Sequence, residues 1–142
     1  MDKWIESIEF ETLGAVNRFF KKFVTNPIAN YTPSRIMKKM LRDDQSVLAL
    51  SNWRDPGGWR SMVISYEPSQ CVRTWDKLLV KGGTMPMALR NRRKLATRLI
   101  AGLLDESRHR PAHVLCLGAG PGHIITDAML QAQKNDTHAT LV

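Results

Sequence analysis

The residues best suited to chemistry lie late in the chain, in the stretch HVLCLGAGPGHIITDAMLQAQ from His113 to Gln133. Its glycines fall at positions 118, 120 and 122. A missing Cβ lets the backbone turn sharply into a helix and lets a ligand come close to the main chain. The short apolar run Val114 to Leu117 before them has the length and continuity of a parallel strand buried on both faces. After them, Ile124, Ile125, Ala128 and Met129 recur at helical spacing. The expectation is therefore a strand, a glycine-rich turn and a helix.

Other candidate chemistry is thinner. His109, His113, His123 and His138 lack the paired spacing of metal ligands, so no metal site is expected. Cys71 and Cys116 stand 45 positions apart. They match no zinc spacing and read as reduced thiols of a cytoplasmic chain. Trp53, Trp59 and Tyr66 are read as core packing before an acceptor pocket. Residues 85–100 hold Arg90, Arg92, Arg93, Lys94 and Arg98 with no acid. This supports an alternative function, a nucleic-acid-binding module in which Arg90, Arg92, Arg93 and Arg98 contact phosphates.

The segment VLCLGAGPGH resembles the first motif of class I S-adenosylmethionine-dependent methyltransferases. Its GxGxG spacing differs from the GxGxxG of dinucleotide dehydrogenases, whose third glycine is replaced here by His123. A nicotinamide-dependent oxidoreductase accordingly ranks as a further alternative. The resemblance covers residues 112–132 and, more loosely, the helical region before them. It implies S-adenosylmethionine as cofactor, with Gly118, Ala119, Gly120, Pro121 and Gly122 as the cofactor loop and His123 opening the helix whose amide end faces the cofactor carboxylate. His123 itself reads as a solvent-facing or capping residue before a base. Cys116 departs from the motif, because the family usually carries Asp or Glu there. The implied acceptor is unknown, a small molecule being favoured.

Elements that position this motif follow from periodicity. Trp4 to Val24 places apolar residues at three- and four-residue steps, the mark of a one-sided helix that Asn26-Pro27 should stop. Thr32-Pro33 is a start signal for a short basic helix, Ser34 to Leu41, with Thr32 capping free amides. Asp55-Pro56-Gly57-Gly58 reads as a turn, and Met62 to Tyr66 as a short strand. Cys71 to Val80 reads as a helix ended by Gly82 in a left-handed conformation. Pro86 should open the next helix, Met87 to about Asp105, with Leu95, Leu99 and Leu103 on one core-facing line and Ala96, Ile100 and Leu104 beside it.

Composition sets the frame. The 142 residues are 43% hydrophobic and 24% charged, as in ordinary globular domains. The net charge of +8 suits an anionic partner. The whole surplus lies before residue 111, since residues 111–142 hold one basic and two acidic residues. No segment is apolar enough for a signal peptide or a membrane span, so no membrane partner is expected.

The fold class expected is α/β: a mostly helical, basic N-terminal cap region, 1–110, then the first strand, loop and helix of an incomplete Rossmann-like methyltransferase domain, 111–142. A second strand should begin at the closing THATLV. The acid that would bind the ribose hydroxyls, about twenty residues after the loop, falls beyond Val142. Such a chain is expected to be an N-terminal part of a methyltransferase and inactive at this length.

Overall fold

The computed structural model describes residues 8–106, 111–132 and 137–142. The chain is mostly helical, with one small two-stranded parallel sheet. It divides into two compact units, one of residues 11–88 and the other of 89–142 together with residues 8–10.

The first unit opens on helix α1, residues 15–31, which runs on through Pro27. Of the expected Trp4 to Val24 helix, residues 4–7 lie outside the described residues and residues 8–14, including Ile8 and Leu13, are not helical, so the helix starts only at Ala15. Asn26-Pro27 does not stop it, because residues Lys21–Thr25 form a π turn between two α-helical stretches, Ala15–Phe20 and Asn26–Tyr31. A proline within a helix lacks an N–H and crowds the carbonyl four residues back. A widened turn just before it relieves both problems.

Helix α2, Ser34–Asp43, follows with no buried residue. Thr32 does not cap it. Its hydroxyl donates backwards to the Ile28 carbonyl oxygen, 2.6 Å away, and so closes α1 instead.

Helices α3 (Val47–Arg54), α4 (Trp59–Tyr66) and α5 (Thr74–Gly82) form the core of this unit. Leu48, Cys71 and Val80 lie at its centre with Ile64 and Leu79 packed against them. The Asp55-Pro56-Gly57-Gly58 turn joins α3 to α4 as expected, with Gly57 at φ +78°. Met62 to Tyr66 is helical and not a strand. Ser61 and Ser65, one helical turn apart, are both buried, and the Ser65 hydroxyl donates to the Ser61 carbonyl. Tyr66 is buried, as a core aromatic should be, whereas Trp53 and Trp59 are exposed.

Two helix starts in this unit are closed by carboxylates from elsewhere in the chain. Asp76, 2% exposed, accepts hydrogen bonds from the Ser46 hydroxyl (2.6 Å) and from the amides of Val47 (2.8 Å) and Leu48 (3.2 Å), the first turn of α3. Ser46 also accepts from the Ala49 amide. In return Asp44 accepts from the Trp75 amide in the first turn of α5 (2.9 Å). The α5 terminus departs from expectation. Neither Gly82 nor Gly83 has positive φ, and α5 ends in extended backbone at Gly83. Glycine is needed at 83 because a Cβ there would run into the Leu79 carbonyl oxygen.

Helix α6, Thr84–Glu106, begins two residues before Pro86 and extends into the second unit. Its buried line is Arg90, Thr97, Ala101 and Leu104, while Leu103 is 63% exposed. The core face is therefore rotated from the expected Leu95, Leu99, Leu103 line. Beyond it come strand β1 (Ala112–Cys116), helix α7 (His123–Gln131) and strand β2 (Thr137–Leu141). The strands pair in parallel, Val114 opposite Ala139 and Cys116 opposite Leu141.

Candidate functional site

Strand β1 delivers the chain to the glycine turn, and α7 carries it away. Ile125 and Ala128 are buried and fix α7. Ile124 and Met129 are half-buried. Two side chains of α6 reach α7 within this unit. Arg93 places Nε at 2.7 Å and Nη2 at 2.6 Å from Oδ2 of Asp127, and the Thr97 hydroxyl donates to the Ile124 carbonyl (3.4 Å).

All three glycines of the turn are left-handed: φ is +65° at Gly118, +56° at Gly120 and +71° at Gly122. An L side chain at such a position costs about 1–2 kcal/mol, so the residue type follows from backbone shape. Gly118 and Gly122 differ in what surrounds them. A Cβ on Gly118 would meet nothing within 4 Å, whereas one on Gly122 would come 3.0 Å from Cδ1 of Leu141 on β2. Gly118 thus faces open space, and Gly122 is buried where the turn packs on the second strand.

The turn is also tied to the sheet. The Val142 amide donates to the Cys116 carbonyl (3.0 Å), and the Val142 carbonyl accepts from the amides of Gly118 (2.7 Å) and Ala119 (3.2 Å). The Gly122 amide donates to Ala119 (3.1 Å), and the Gly122 carbonyl receives Ile125 and Thr126 in the first turn of α7. Gly122 is the N-cap of α7 and supplies no side-chain cap. The first amides of a helix lack intrahelical acceptors, and together with the helix dipole they attract anionic groups.

The structure therefore brings Gly118, Ala119, Gly120, Pro121, Gly122 and His123 together at the end of β1. It does not bring a carboxylate to position 116: Cys116 is a half-buried free thiol. The expected burial of β1 on both faces fails at Leu115 and Leu117, which are 65% and 73% exposed. On that same exposed face His113 and His138, partners in the strand register, stack with ring centroids 5.4 Å apart. Among the described residues no group of three His, Cys, Asp or Glu could hold a metal. His109 lies outside them.

The basic stretch of α6 is divided by its surroundings. Arg93 pairs with Asp127 and Arg90 is buried, which leaves Arg92 and Arg98 on the exposed side of the helix. Sequence spacing missed the Arg93–Asp127 pair, since the two lie 34 positions apart and meet only when α7 folds onto α6. Among the described residues no helix is long and apolar enough to cross a membrane. No family model, curated protein or solved structure matches this chain.

Proposed function

We propose that residues 112–142 form the opening β-α-β unit of a Rossmann-like, S-adenosylmethionine-dependent methyltransferase, with the 118–122 turn as the cofactor loop. One observation carries this reading. Three consecutive alternate glycines hold left-handed backbone between a parallel strand and a helix start that has no side-chain cap. In open α/β sheets, ligands bind beyond the carboxyl ends of the strands, beside such a helix start.

The fit is good at the start of α7 and poorer at Cys116, and the Gly118 and Ala119 amides already donate to Val142. Gly118 leaves room for a nucleoside to approach the main chain, and the first amides of α7 suit a carboxylate. The thiol of Cys116 carries no fixed charge to pair with an ammonium group, so this chain would hold the cofactor mainly through main-chain atoms. When bound beside the 118–122 turn, S-adenosylmethionine would supply an electrophilic methyl group for transfer to an acceptor. The chain's own contribution is placement and the exclusion of water. The Arg93–Asp127 pair and Thr97 act as positioning residues, because they set α7 and with it the turn.

Titration calorimetry of the 142-residue chain with S-adenosylmethionine, S-adenosylhomocysteine and NAD tests the reading. The expected result is binding of the first two and none of NAD, abolished by Gly118→Val. Binding of NAD alone would instead favour the oxidoreductase alternative. Binding of none of the three overturns the proposal.

A further inference from the structure

Residues 12–42 contain seven Lys and Arg and not one Asp or Glu. Within that stretch α1 displays Val16, Phe19, Phe20 and Phe23, a three- and four-residue spacing that puts them on one face. Among the described residues that face is exposed, Val16 at 80%, Phe19 at 65% and Phe23 at 56%. No residue from Ala15 to Thr25 is buried. Phe19 and Phe23 lean together at 4.6 Å between centroids, and Lys22 places its ammonium 5.4 Å from the Phe23 ring. Arg18, Phe19, Lys22 and Phe23 line an open groove of about 330 Å³. On the other side of the helix Lys21 donates to the Gly82 carbonyl (3.1 Å) and fastens α1 within its unit.

Exposed apolar side chains edged by cations call for an occupant that is apolar and anionic at once. A second copy of the chain would bring the same seven cations into opposition. Single-stranded nucleic acid would use the phenyl rings but gains little from Val16, or from Ile28, which is also 59% exposed. An anionic phospholipid surface satisfies both demands: aromatic and aliphatic side chains enter the acyl boundary while Lys and Arg meet the headgroup phosphates. The geometry points to α1 as an in-plane anchor on anionic phospholipid membranes. The expectation of no membrane partner rested on spanning length, and lying in the interface requires only a one-sided helix.

The test uses the full chain with unilamellar vesicles of phosphatidylcholine, alone or mixed with phosphatidylserine. Sedimentation with the mixed vesicles is expected, weakening as salt is raised and on phosphatidylcholine alone. Phe19→Ser with Phe23→Ser should lower partitioning about tenfold or more, with an unchanged far-ultraviolet circular dichroism spectrum. Arg18→Gln with Lys22→Gln should lower it about twenty-five-fold, near fivefold for each cation. No sedimentation with mixed vesicles, or partitioning of the serine variant equal to the parent, overturns the inference. Binding to polyuridylate that alone depends on Phe19 and Phe23 also overturns it, in favour of nucleic acid.

Discussion

The starts of α3 and α7 are built in opposite ways. At α3 the helix amides are closed by a buried carboxylate, Asp76, assisted by Ser46. At α7 a left-handed glycine leads into the helix, and no side chain caps it. A helix start that folding alone must satisfy gathers side-chain oxygens, since a buried amide without an acceptor is costly. An uncapped start is not rare here, since α2 and α4 also lack a side-chain cap; α7 is set apart by an approach through three left-handed glycines. The proposed binding reading of α7 therefore rests on the glycine turn rather than on the missing cap.

Substitutions can break or sharpen this contrast. The largest effect belongs to Asp76→Ala, which strips acceptors from one buried hydroxyl and two amides. Urea unfolding followed by tryptophan fluorescence, with Trp53, Trp59 and Trp75 in the same unit, should show a loss of about 3 kcal/mol. The glycine turn should lose less stability and more ligand. Gly118→Ala is expected to cost about 1–2 kcal/mol from backbone strain. Gly122→Ala should cost more, because its Cβ also crowds Leu141. Both should weaken cofactor binding, measured by calorimetry, while Asp76→Ala, assayed below its midpoint, should not. Equal stability of the two alanine variants would show that the Leu141 contact yields freely. Smallest is the Arg93–Asp127 pair, whose side chains are 24% and 29% exposed. A double-mutant cycle with Arg93→Ala and Asp127→Ala should return a coupling of about 0.5–1 kcal/mol.

What the sequence made readable follows the same division. The glycine turn was legible because residue type and backbone conformation are tied locally, and the strand, turn and helix all formed within a residue or two of their expected limits. The opening of β2 at THATLV was legible for the same reason, as a short run of strand-forming residues after a helix. The Asp76 cap was invisible, since it joins residues 28 to 30 positions apart through tertiary folding. The Met62 to Tyr66 stretch misled because a short apolar run fits either period, and the buried serines that settle it carry no hydrophobic signal. The rotated face of α6 had a similar cause. Its buried line includes Arg90 and Thr97, polar residues that hydropathy patterns assign to solvent.

The π turn of α1 has a consequence for how the helix tolerates change. A π turn holds one more residue than an α turn, so it shifts the azimuth of everything before it by roughly 100° relative to the segment after it. Deleting one residue among 21–25 would swing the Val16 and Phe19 stripe about a quarter turn away from Ile28 and Tyr31, and would return Pro27 to an ordinary α turn that it strains. The aromatic ridge therefore owes its alignment to a single inserted residue, and its heading is encoded by chain length as much as by side-chain identity.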